Sequence, residues 1–125
     1  MAHRDLRLDA DAGRALAEIR TRSRERPVLV FKKSPICPES QRAEAQLRRW
    51  LETLAGEPLA LCEIDVIAER ALARGLTKEL AVRHESPQAL WFVDGELAWH
   101  GSHGALTRER FQELLEGAEP GSGSG

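Results

Sequence analysis

Two cysteines, Cys37 and Cys62, are all that 125 residues contain. Set 25 positions apart, they do not form the framework of a secreted disulfide scaffold. No apolar stretch approaches the roughly 20 residues that a membrane-spanning helix requires, and the polar N-terminus has no signal-peptide core. Neither sign of charge dominates: 18 Lys and Arg stand against 20 Asp and Glu, interspersed along the chain for a net charge of −2. Neither nucleic acid nor an anionic membrane is therefore an expected partner. No internal repeat is present, and the one low-complexity stretch is the tail 119–125, whose Gly and Ser composition is that of a flexible linker. These absences predict one soluble, cytoplasmic domain over residues 1–118, with the tail outside the fold.

A further absence is local. Cys37 lies in Val28-Leu29-Val30-Phe31-Lys32-Lys33-Ser34-Pro35-Ile36-Cys37-Pro38-Glu39-Ser40, an apolar run, a turn and then a helix start. A cysteine at a helix N-terminus faces unpaired N–H groups and the positive end of the helix dipole, an environment that favours thiolate. A dithiol oxidoreductase carries a second cysteine three residues on, whereas this chain carries Ser40. The resulting Cys-x-x-Ser motif makes Cys37 a nucleophile that attacks a disulfide and holds the adduct, with the releasing thiol supplied from elsewhere. Ser40, one turn along, is placed either to hydrogen-bond the thiolate or to cap backbone groups.

The remaining patterning gives the order α-β-α-β-α-β-β-α. Apolar spacing from Asp9 to Ser23, with Asp9 or Asp11 as cap, predicts a first helix. Val28 to Phe31 reads as a strand buried on both faces. From Pro38, a favoured first-turn residue, Ala43, Leu47, Trp50, Leu51 and Leu54 form one stripe of an amphipathic helix. Leu59 to Val66 reads as a second strand, with Ala60, Cys62, Ile64 and Val66 on one face, which reads Cys62 as a core residue; a resolving role would require it to emerge beside Cys37. Between Ile67 and Ala81 the helical pattern contains Gly75, so one interrupted helix or two short ones are predicted. Ala89 to Val93, Asp94-Gly95 and Glu96 to His100 form a hairpin, and Thr107 caps a last helix that turns Phe111, Leu114 and Leu115 inward. Leu106 is placed to staple onto Phe111. The fold class is α/β: a central mixed four-stranded sheet with helices on both faces.

That order, with a cysteine at the first strand-to-helix junction and Pro87 just before the hairpin, resembles the thioredoxin-like fold. Three blocks narrow the likeness: Phe31 to Ser40, Val82-Arg83-His84-Glu85-Ser86-Pro87-Gln88-Ala89, and Trp99-His100-Gly101-Ser102-His103. Together they resemble the YtxJ-type monothiol bacilliredoxins over about Leu6 to Leu115. Pro35 before the cysteine, and Ala81 where glycine is expected at a helix end, depart from that pattern.

The resemblance implies a monothiol thiol-disulfide oxidoreductase that removes bacillithiol from S-bacillithiolated client proteins through a Cys37 mixed disulfide. Ser40 stands beside Cys37 in the catalytic set. Pro38, Ser86, Pro87 and Lys33 form the substrate-binding set, with Pro87 in cis so that the Ser86 backbone pairs with the bound thiol or peptide. Lys32 and Lys33 flank the site, either as a ligand for the carboxylates of bacillithiol's malate group or as a solvated face. Bacillithiol is a co-substrate, no cofactor is implied, and the protein is expected to act as a monomer. His100-x-x-His103 lacks matching ligands, so no metal is expected; His84 and His100 are structural histidines or tune Cys37 electrostatically. Two other classes stand beside the enzyme: a monothiol iron–sulfur carrier, although the Cys-Gly-Phe-Ser motif of monothiol glutaredoxins is absent, and a non-catalytic adaptor that binds a peptide edge.

Overall fold

In the computed structural model, which describes residues 6–118, the elements follow the order read from the sequence. They are α1 (Ala12–Arg22), β1 (Val28–Lys33), α2 (Pro38–Leu51), β2 (Ala60–Asp65), α3 (Arg70–Leu80), β3 (Gln88–Val93), β4 (Glu96–Ser102) and α4 (Arg108–Ala118), with a 3₁₀ turn over His103–Ala105. The tail 119–125 lies outside the described residues. The sheet order is β2-β1-β3-β4, with β1 parallel to β2 and antiparallel to β3, and β3 antiparallel to β4. This is the mixed four-stranded sheet that the patterning predicts.

The apolar run of β1 is buried on both faces because each face carries its own helix pair. Leu29 and Phe31, with Ala89 and Trp91 of β3, pack under α2 and α4, where the Trp50 ring stacks on Phe111 at 5.4 Å between centroids. Val28 and Val30, with Leu90 and Phe92, pack under α1 and α3. Cys62 belongs to this second core, opposite Val30 in the parallel ladder.

Three local features differ from the sequence reading. Helix α3 runs through Gly75 without a break, and a Cβ at Gly75 would sit 2.6 Å from the Ala12 Cβ. The glycine is there to let α1 and α3 approach closely, and Gly in a helix costs only about 1 kcal/mol against Ala, which packing outweighs. Helix α2 ends at Leu51 rather than near Leu54. In the hairpin, Trp91 lies opposite Trp99 but Phe92 lies opposite Leu97, so Ala98 is an extra residue and β4 carries a bulge. The turn itself, with Asp94 at φ 55° and Gly95 at φ 88°, is the two-residue connection that Asp-Gly favours.

The register places one end of the sheet in common. Lys32 pairs with Gln88, and Gln88 pairs with Ser102. The exits of β1 and β4 and the entry of β3 therefore meet at the edge where α2 begins.

Candidate active site

Cys37 is the N-cap of α2, at φ −105° and ψ 120°, and its carbonyl accepts the Gln41 N–H at 3.2 Å. Pro38 occupies the first helical turn with its fixed φ, and no side chain caps the helix. The first-turn N–H groups thus point out beside a partly exposed thiol. The turn before it is held from within: Ser34 N–H donates to Ser40 Oγ at 3.0 Å, and Cys37 N–H reaches the Ser34 carbonyl at 3.4 Å. Ser40 is 1 % exposed and makes the backbone-capping contact, one of the two roles open to it. Ile36, next to the thiol, is 78 % exposed and gives the site an apolar lip.

The segment 82–87, which belongs to no helix or strand, leads into β3 at the sheet end where β1 exits toward this turn. The Ser86–Pro87 peptide bond is cis. The Pro87 carbonyl accepts the His103 N–H at 3.2 Å, which joins the entry of β3 to the exit of β4. Ser86 Oγ is buried and has no hydrogen-bond partner among the described residues. His103, at φ 51°, brings Nε2 to 3.9 Å from Glu39 Oε1 on α2. Glu39 thus lies near His103, whereas His100 sits exposed on edge strand β4 opposite Leu90.

The two lysines diverge. Lys33 Nζ is bound by Glu63 at 2.9 Å and Glu44 at 3.0 Å, and Arg48 bridges the same two carboxylates. Burial pulls the Lys33 ammonium down, but the hydrogen bonds to Glu63 and Glu44 outweigh it and raise its pKa. Its charge is spent within the fold, tying β1 to α2 and β2. Lys32 is fully buried on the opposite face and bonded to Gln88, away from the solvent that a substrate carboxylate would come from.

Cys62 is 3 % exposed and lies in mid-strand, three ladder positions before the Lys33–Asp65 pair that ends β2 at the site. It does not emerge beside Cys37. The site therefore holds one thiol, a capped turn and a cis-proline segment.

The model of the family described as "Monothiol bacilliredoxin BrxC" matches residues 11–111. The chain belongs to the monothiol bacilliredoxin family. A solved structure described as a candidate oxidoreductase with a thioredoxin fold is 29% identical, covers 91% of this chain and 95% of that chain, and superposes with a TM-score of 0.70. A mutant thioredoxin from Halobacterium salinarum is 22% identical, with 94% and 95% covered and a TM-score of 0.63. Trxlp from Edwardsiella tarda is 17% identical, with 89% and 98% covered and a TM-score of 0.63. The last two establish the thioredoxin fold alone; the family match and the first structure support a thiol redox role for this bacilliredoxin.

Two residues at the site escaped the sequence reading as structural elements. Gln88 opens β3 with its side chain buried, and Lys32 lies on the apolar face of β1 with Val28 and Val30. The signal was available in the alternation of β1, where a charged residue continues an apolar face.

Proposed function

We propose that this bacilliredoxin removes bacillithiol from S-bacillithiolated proteins in the cytoplasm, acting as a monomer through a single thiol. The Cys37 thiolate attacks the bacillithiol sulfur of the client's mixed disulfide. The S–S bond breaks, the client leaves as a thiolate that takes up a proton, and bacillithiol is left joined to Cys37. A second bacillithiol, as thiolate, attacks that adduct, releasing bacillithiol disulfide and restoring Cys37. The observation that carries the reading is Cys37 at the N-cap of α2 with a buried, capping Ser40 where a resolving cysteine would stand. The cis Ser86–Pro87 bond and Pro38 in the first turn of α2 support a binding place for the mixed disulfide in which the Ser86 backbone pairs with it.

Intact-mass spectrometry on the wild type and Cys37→Ser, mixed first with a bacillithiolated client and then with free bacillithiol, tests it. The wild type should gain one bacillithiol, free the client, and lose the adduct when bacillithiol is added. Identical behaviour of the two proteins would remove Cys37 from the reaction.

A further inference from the structure

Lys32 is the one buried charged residue among the described residues, and the proposed reaction leaves it unused. It is 0 % exposed in a central strand, where an isolated lysine is costly unless it is bonded. Its Nζ donates to Gln88 Oε1 at 2.7 Å and stands 2.8 Å from His84 Nδ1. Gln88 carries the connection onward: Oε1 also accepts the Glu85 N–H at 3.3 Å, and Nε2 donates to the Arg83 carbonyl at 2.9 Å. All three loop residues so held, Arg83, His84 and Glu85, immediately precede Ser86–cis-Pro87, and the segment has no ladder of its own to fix it.

The charges around this cluster fit a bridge. Burial pulls Lys32 down to about 8, with Arg74 of α3 adding to the effect and Glu85 opposing it. Burial also lowers His84, with the charges of Lys32, Arg74 and Arg70 adding and Glu85 opposing. A neutral His84 ring offers Nδ1 as acceptor. A lysine amine without its third proton still has two N–H groups, one for each acceptor, so the bridge survives that proton's loss.

We propose that Lys32 is a positioning residue for substrate binding: through Gln88 and His84 it fixes the 83–88 loop, and so the place of the Ser86–Pro87 backbone against which a client disulfide lies. The proposal rests on the client-binding role given to that segment above. Lys32 itself touches no substrate. What it sets is affinity, not the reactivity of the Cys37 thiol.

The test compares wild type, Lys32→Met and Lys32→Met/Gln88→Leu for client KM and kcat, Cys37 alkylation by iodoacetamide, thermal midpoint, and amide exchange over residues 83–88. Lys32→Met should raise KM about tenfold and speed exchange in the loop, with kcat and alkylation within about twofold, since a buried bond is lost while the thiol is untouched. The double variant, which also severs the bonds from Gln88 to the Arg83 carbonyl and the Glu85 N–H, should loosen the loop further and keep the raised KM. An unchanged KM in folded Lys32→Met, or a KM that returns to the wild-type value in the double variant, overturns the proposal. If Lys32→Met does not fold, His84→Ala, outside the core, decides: a KM raised at unchanged alkylation supports it, and an unchanged KM overturns it. If the wild type discharges no client, the proposed reaction fails; loop exchange then judges Lys32, faster in the variant if it positions the loop and unchanged if it does not.

Discussion

Lys32 also gives the fold a pH signature, and it belongs to the residue scale. Desolvation on burial holds its folded-state pKa at about 8, below the value near 10.4 of an unfolded lysine. Between those values the unfolded chain holds a proton that the folded chain has shed, so the stability from this group rises with pH and is lost as pH falls through about 8. Relative to Lys32→Met, wild type should gain most of roughly 3 kcal/mol between about pH 7 and about pH 10, read by urea unfolding. Parallel stability curves for the two proteins would mean that Lys32 is not buried in this way. Single residues were unevenly legible. The helix-start position of Cys37 and the buried strand face of Cys62 were legible, whereas the pairing of Lys33 was not, because Glu44 and Glu63, 11 and 30 residues away, are brought to it only by folding.

At the scale of elements, two positions of α3 favour glycine over alanine for different reasons. Gly75 faces the Ala12 Cβ, which has no rotamer to turn aside, so Gly75→Ala must push α1 from α3. Overpacking costs about 1–3 kcal/mol and outweighs the gain of about 1 kcal/mol in helix propensity, so the denaturation midpoint should fall. Ala81 ends α3 in the left-handed region at φ 58°, where its Cβ is crowded. Ala81→Gly relieves about 1–2 kcal/mol of that crowding, less an entropy cost of about 0.5–1 kcal/mol, so the midpoint should rise slightly. A rise for Gly75→Ala or a fall for Ala81→Gly would show the α3 packing or its cap to be wrong. The same pair explains what the sequence conceals at this scale. Periodicity located α3, but a glycine that breaks a helix and one that admits a neighbouring helix look alike until Ala12 is seen against it. The β4 bulge at Ala98 was hidden for a similar reason, since the alternation of one strand does not report the register of its partner.

At the scale of the molecule, the site is a consequence of topology. One strand, β1, pairs parallel on one side and antiparallel on the other, so its exit, the entry of β3 and the exit of β4 share an edge. Cys37, Pro87 and His103, 66 positions apart in sequence from first to last, are gathered there without any contact local in sequence. The apolar runs and the Asp94-Gly95 hairpin made this architecture readable, because strand count, burial and a single tight turn leave few arrangements. What they did not reveal was the internal wiring from Lys32 to the 83–88 loop, since such bonds depend on side-chain placement and leave no periodic trace.

The central claim is that one thiol suffices, and it is tested most directly by the steady-state rate of client release with free bacillithiol as the only reductant, in Cys62→Ala and in Cys37→Ser. Cys62 lies in the core below the site, so Cys62→Ala should turn over within about twofold of wild type, as external resolution requires, while Cys37→Ser should show no turnover. A Cys62→Ala protein that stalls as the Cys37 mixed disulfide, or a Cys37→Ser protein that still discharges the client, would contradict the account.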